Sequence, residues 1–339
     1  MTRVIDVHAH ILTPEMMADM RREAPAIGPK LAEEGVEHSV LTTGGVPYHP
    51  FPRGGWDLER RFADLEANGI DMQVLAVCPQ TLLYDIDGKL ALTLAQLQNE
   101  AIAKLVRAHP DTFLGLAHLP LQSPEDSVAE LTRAMKDLGL VGAQIGSHVE
   151  GRNLDDPALE PLWARAEELG AFIMIHPQKP AGGKRLDANY FKNLIGNPLE
   201  TTIAGGSLIF AGVMERYPNL RILLVHGGGF LPYQYGRFQH GWHVREEPQI
   251  GLKVPPEASA RRFFFDTLTH SEPALRYLVG EFGAENVLFG TDYPFDMGAF
   301  DNHRMVSAMG FSAGDRDLIV GDRAANLFGL PRAKAAAAE

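Results

Sequence analysis

Short runs of near-continuous apolar and β-branched residues recur along the chain, at Val4–Val7, Met72–Val77, Thr112–His118, Val141–Ile145, Phe172–His176, Ile222–His226, Arg262–Thr267 and Asn286–Gly290. Runs of this kind suit parallel strands buried on both faces, because a half-exposed strand would alternate apolar with polar positions. Between most of them the pattern becomes helical and carries punctuation. Asp57 precedes an apolar stripe of Leu58, Phe62 and Leu65 that stops at Gly69. Ser123-Pro124-Glu125-Asp126 offers a cap, a first-turn proline and two acids ahead of a helix closing at Leu138-Gly139. Stretches from Pro157 to Gly170 and from Ser271 to Gly283 follow the same plan. Eight strand–helix alternations predict an α/β fold, a closed (β/α)8 TIM barrel. No glycine-rich dinucleotide fingerprint follows the first strand to favour an open sheet instead.

One segment breaks the rhythm. Residues 12–56 are long for a connection and rich in Gly and Pro from Gly44 to Gly55. An insertion after the first barrel strand reads as a lid or pocket wall. Residues 330–339 read as a frayed tail ending in an alanine run. The expectation is one barrel domain over residues 1–339.

Composition narrows the function. A net charge of −12 repels nucleic acid and anionic membrane, and no apolar run reaches transmembrane length. The N-terminus is too short and polar ahead of the first strand for a signal peptide, and the lone Cys78 allows no internal disulfide. A cytoplasmic protein acting on a small molecule is expected.

The chemistry lies at the ends of the apolar runs. His8-Ala9-His10 directly follows the first, at the end of the strand it predicts, and residues two apart on a strand face one side. His176 ends the fifth run, His226 the sixth, and Asp292 follows the eighth. Taken singly, each reads more readily as a hydrogen-bonded core histidine or a capping aspartate. Four strand tips carrying ligand-type residues call for one explanation, since barrel active sites sit at the C-terminal strand ends. Three imidazoles with a carboxylate suit one divalent ion, Zn²⁺ before Mn²⁺, Fe²⁺ or Co²⁺. The fourth run ends Ala143-Gln144-Ile145-Gly146 without the lysine that bridges metals in binuclear barrel hydrolases, so a single ion is expected.

Ile5-Asp6-Val7-His8-Ala9-His10, Ile175-His176-Pro177, Val225-His226-Gly227-Gly228-Gly229 and Gly290-Thr291-Asp292-Tyr293-Pro294 together resemble the amidohydrolase superfamily. Within it the chain is similar to the decarboxylase branch typified by 2-amino-3-carboxymuconate-6-semialdehyde decarboxylase. The resemblance implies that His8, His10, His176 and Asp292 hold the metal and that His226 is the catalytic histidine. A further-ligand role for His226 stays open. It implies a homodimer in which Arg237 reaches the partner's substrate carboxylate. A second substrate-binding arginine of the family falls at His49 here, with Arg53 four residues on as its possible substitute. The activity implied is non-oxidative decarboxylation of a small unsaturated or aromatic carboxylic acid. The rivals are a hydrolase or hydratase using the same metal-bound water, and a non-catalytic barrel scaffold.

Overall fold

All eight apolar runs form strands of one sheet in the computed structural model, which describes residues 2–33 and 35–331. They are β1 (Ile5–Ile11), β2 (Met72–Val77), β3 (Phe113–His118), β4 (Gly142–Gly146), β5 (Phe172–His176), β6 (Arg221–Leu224), β7 (Phe264–Asp266) and β8 (Val287–Leu288). Neighbours pair in parallel and in chain order. The ring closes beyond the short β8. Val7 N donates to Phe289 O at 2.9 Å, Asp292 N to His8 O at 2.8 Å, and Ala9 bridges Tyr293 in parallel. The fold is a (β/α)8 barrel, and its closing seam runs through the HxH dipeptide and Asp292.

Two buried clusters explain why the runs are apolar on both faces. One joins Val7, Val74, Leu116, Met174, Leu223 and Phe264 from strands around the ring. The larger joins strand residues such as Leu75, Ile145 and Leu224 to Trp163, Leu208 and Leu278 of the surrounding helices. The β1–β2 register slips between Asp6 and Ala9. A slip of this kind re-aims side chains, so Ile5 and Val7 pack in the first cluster while His8 and His10 still turn to the site.

Helix punctuation follows the expected chemistry. Asp57 accepts from Glu59 N and Arg60 N, and Gly69 ends that helix in the left-handed conformation at φ 68°. Ser271 caps its helix through Ala274 N, whereas Ser123 holds the cap position without a side-chain bond.

Residues 12–56 hold more structure than a loop. A helix spans Pro14–Glu23, and Lys30–Glu33, His38–Thr43 and Val46–Pro52 form an antiparallel three-stranded sheet. Gly44 and Gly45 make the two-residue turn, with φ of 57° and 78° between paired Thr43 and Val46. Glycine tolerates two successive positive φ values at little cost. The C-terminal stretch read as a tail lies, from residue 332 on, outside the described residues. Among the described residues no helix is long and apolar enough to cross a membrane.

Candidate metal centre

The four strand-end positions meet at one point. His8, His176, His226 and Asp292 each offer a ligand atom, and these atoms lie within 4.8 Å of one another. His10 joins them, its Nε2 lying 3.1 Å from both His8 Nε2 and Asp292 Oδ1. His8 Nε2 is 3.3 Å from the same carboxylate oxygen, and His226 Nε2 faces the other at 3.4 Å.

The outer ring nitrogens assign the tautomers. His8 Nδ1 donates to Asp266 Oδ2 at 2.8 Å, His10 Nδ1 to Val77 O at 2.9 Å, and His176 Nδ1 to Pro177 O at 2.9 Å. Carbonyl and carboxylate oxygens only accept, so the proton sits on each Nδ1 and the Nε2 lone pair turns inward. His176 Nε2 is buried with no hydrogen-bond partner among the described residues. Two inward lone pairs 3.1 Å apart repel unless a positive charge lies between them. The donor set therefore fits a divalent cation.

The electrostatics agree. Burial would raise the Asp292 carboxyl, but His8 and the neighbouring His10 and His226 imidazoles hold it well below the carboxylate range. Burial, reinforced by its imidazole neighbours, pushes His176 well down and leaves it a neutral donor. Burial lowers His10 too. On His8 burial is outweighed by Asp292 and Asp266, which raise it. That is the pull for positive charge a cation would satisfy.

His226 differs from the other three. Its Nδ1 is buried without a partner among the described residues, and its Nε2 faces Asp292 Oδ2 instead of being turned inward by an outer hydrogen bond. It lies past the end of β6, with φ 57°, followed by Gly227, Gly228 and Gly229 at φ 59°, 79° and 63°. A Cβ at Gly229 would come 2.2 Å from Pro198 O, so the turn needs glycine there. Asp292 also has φ 57°. Non-glycine residues seldom adopt this region, and strain of this sort gathers at functional sites.

Asp266 escaped the sequence reading. Its Oδ2 accepts from His8 Nδ1 and, at 2.9 Å, from His226 N; its Oδ1 accepts from Gly227 N at 2.7 Å and Leu268 N at 3.1 Å. One buried carboxylate thus orients His8 and shapes the His226 turn. The available signal was a lone acid in Phe263-Phe264-Phe265-Asp266. Asp6 is structural: it accepts from His8 N, Gln73 Nε2, Thr291 N and Thr291 Oγ1, tying β1 to β2 and to the Asp292 segment. Burial still pushes its carboxyl up to about 6. Fully buried Arg61 donates to Gln73 Oε1 and to the carbonyls of His10 and Gly54, with the Tyr293 ring 4.6 Å away.

Two cavities, of about 610 and 440 Å³, both reach His226 and Asp292. The larger runs over Tyr233, Leu268 and Tyr277. The smaller, which also reaches His176, lies under the 43–48 turn and the segment after β5. None of the three predicted substrate-binding residues lines either cavity. Arg53 bonds Asp57 at 2.6 Å, His49 is exposed on its strand, and Arg237 is exposed on helix Leu231–Val244. His118 is buried and stacked on Tyr84, away from the cluster, whereas His270 lines the larger cavity. Phe295 packs on the His10 ring at 5.2 Å. Gln144, where a bridging lysine would stand, donates instead to Val77 O.

Residues 5–330 match the family model described as amidohydrolase. The chain belongs to the amidohydrolase family. This amidohydrolase is 36% identical over 329 residues to the 2-amino-3-carboxymuconate-6-semialdehyde decarboxylase of Dictyostelium discoideum, covering 96% of this chain and 91% of that one. It is 28% identical over 316 residues to the 2-keto-4-carboxy-3-hexenedioate hydratase of a Sphingobium species, covering 86% and 83%. Among solved structures it resembles the 5-carboxyvanillate decarboxylase of Novosphingobium aromaticivorans complexed with manganese and 4-hydroxy-3-methoxy-5-nitrobenzoic acid. There the TM-score is 0.80 and the identity 26%, over 97% of this chain and 96% of that one.

Proposed function

We infer that this amidohydrolase is a metal-dependent, non-oxidative carboxy-lyase that decarboxylates a small unsaturated or aromatic carboxylic acid. The observation that carries the reading is the division among the histidines. Three imidazoles have their Nδ1 protons anchored and their lone pairs converging with Asp292, while His226, at the cavity wall, has an unanchored Nδ1. His8, His10, His176 and Asp292 would hold the ion. Zn²⁺ suits three nitrogens and one carboxylate, and the Mn²⁺ carried by a relative fits the same donors. When bound, the ion would supply a fixed positive charge opposite the substrate's acid group.

The chain's own residues then do two things. His226 delivers a proton to the carbon that loses CO₂: the C–C bond breaks, its electron pair stays on that carbon, and the proton forms the new C–H bond. Solvent re-protonates His226, so no oxidant or organic cofactor is consumed. The aromatic wall of Tyr48 and Phe295 shelters the site and keeps electrostatic interactions strong. Arg237, exposed and without an ion-pair partner among the described residues, is assigned to the partner's cavity in a homodimer, where its planar fork would hold the substrate carboxylate. The enzyme is assigned to the cytoplasm.

The hydratase among the relatives favours a second reading, addition of metal-activated water to a double bond. One experiment separates them. Metal-loaded protein is incubated with a panel of muconate-type and hydroxybenzoate acids while CO₂ is measured. Decarboxylation releases one CO₂ per acid consumed; consumption without CO₂ would establish the hydratase or hydrolase reading instead.

A further inference from the structure

The family resemblance pointed to His49 or Arg53 as a substrate-binding residue, yet strand alternation turns a different side chain inward. On Val46–Pro52, His49 is exposed, whereas its neighbour Tyr48 is half-buried and lines the smaller cavity with His176, His226 and Asp292. The Tyr48 ring packs edge-on against Phe295 at 5.4 Å, and Phe295 packs on His10. Two aromatic contacts thus connect it to a candidate metal ligand. Its hydroxyl makes no hydrogen bond among the described residues.

The remaining wall is poor in free positive charge. No arginine of this chain lines the cavity among the described residues. Lys179 is paired with Glu150 at 2.7 Å and Asp85 at 3.1 Å, and Lys192 with Asp187 at 2.8 Å. Gln80, Gln178, Asn193 and Asn197 are neutral, and Asp296 adds negative charge. A first carboxylate is met by the ion and Arg237 on the reading above. A second would face acids and already-paired lysines.

We propose that Tyr48 is a specificity-determining residue, donating its phenolic hydrogen to a neutral oxygen of the substrate, so that the preferred substrate is a monocarboxylic acid bearing a hydroxyl or carbonyl rather than a dicarboxylic acid. Burial, reinforced by the nearby negative charges of Asp296 and Asp292, raises the phenol above its ordinary range and keeps it a donor. A hydroxyl or carbonyl oxygen accepts that hydrogen without needing a counter-charge. This inference rests on the carboxy-lyase reading for the acid's orientation at the ion.

The test is calorimetric titration of metal-loaded wild-type protein and its Tyr48→Phe variant with a hydroxybenzoate, the benzoate lacking the hydroxyl, and a benzenedicarboxylate. The wild type is expected to bind the hydroxybenzoate about tenfold more tightly than either of the others, the effect of one well-placed hydrogen bond in a sheltered site. Tyr48→Phe should remove that margin while leaving benzoate binding, metal content and Tm unchanged. The assignment is overturned if the dicarboxylate binds best, if no margin exists, if the margin survives in the variant, or if the variant weakens all three ligands alike. CO₂ release by the wild type is read separately. Its failure would overturn the carboxy-lyase reading, while the titrations still decide the role of Tyr48.

Discussion

His226 and His176 carry the same side chain to the same cluster, and their unlike surroundings underlie the different roles proposed for them. His176 Nδ1 is fixed by Pro177 O and its buried Nε2 has nothing else to bind. These surroundings support the ligand role proposed for His176 and the proton-carrying role proposed for His226, whose Nδ1 has no partner among the described residues. His226→Asn, which tolerates the left-handed backbone, is expected to keep metal content and lose about 10²- to 10⁴-fold in kcat. Metal analysis beside steady-state rates checks it, and an empty site in the variant would make His226 a ligand. Asp266→Asn sets an amide against donors that now meet a carboxylate, among them His8 Nδ1 and His226 N. Metal affinity should fall about 10- to 100-fold, read by competition with a chelator. Both side chains stood at or near predicted strand ends, yet only the histidine drew notice, because a carboxylate's partners are invisible until the chain folds.

Among the elements, the turn after β6 is the most exacting. Its three glycines all have positive φ, and a Cβ at Gly229 would strike the Pro198 carbonyl at the start of helix Asn197–Phe210. Gly229→Ala should therefore cost about 2 kcal/mol or more through strain and displaced backbone, and should also lower kcat by moving His226. Denaturant unfolding and kinetics together test this. The strands of the barrel were legible in the sequence, Met72–Val77 and Phe172–His176 to the residue, because burial on both faces leaves an unbroken apolar run. The sheet within residues 12–56 was not. Its strands are short, half-exposed and interrupted by Pro47, Pro50 and Pro52, and the Gly44-Gly45 turn between paired Thr43 and Val46 was its one clear mark.

For the whole molecule, the sharpest prediction concerns assembly. If Arg237 serves the partner's cavity, each site in a homodimer combines His226 of one protomer with Arg237 of the other. Arg237→Ala and His226→Asn are each expected to be nearly inactive alone. Dissociated and re-associated in equal amounts, they should recover about a quarter of wild-type activity, since half the dimers are mixed and each holds one intact site. No recovery, despite mixed dimers seen by native mass spectrometry, would place Arg237 outside the partner's site.

The amino-acid order alone sufficed for the barrel, for ligand-type residues at its strand ends and for the family, since each depends on local pattern: apolar runs, helix caps, and side chains two apart on a strand. Which groups meet depended on the closed ring. Closure brings Asp292 onto β1, and Asp266 behind His8. The β1 register slip turns His8 and His10 to the Asp292 cluster, and the pleat of an unforeseen strand presents Tyr48 to the cavity instead of His49. These are contacts between residues far apart in sequence, and a one-residue change in register or strand phase reverses which side chain faces the substrate.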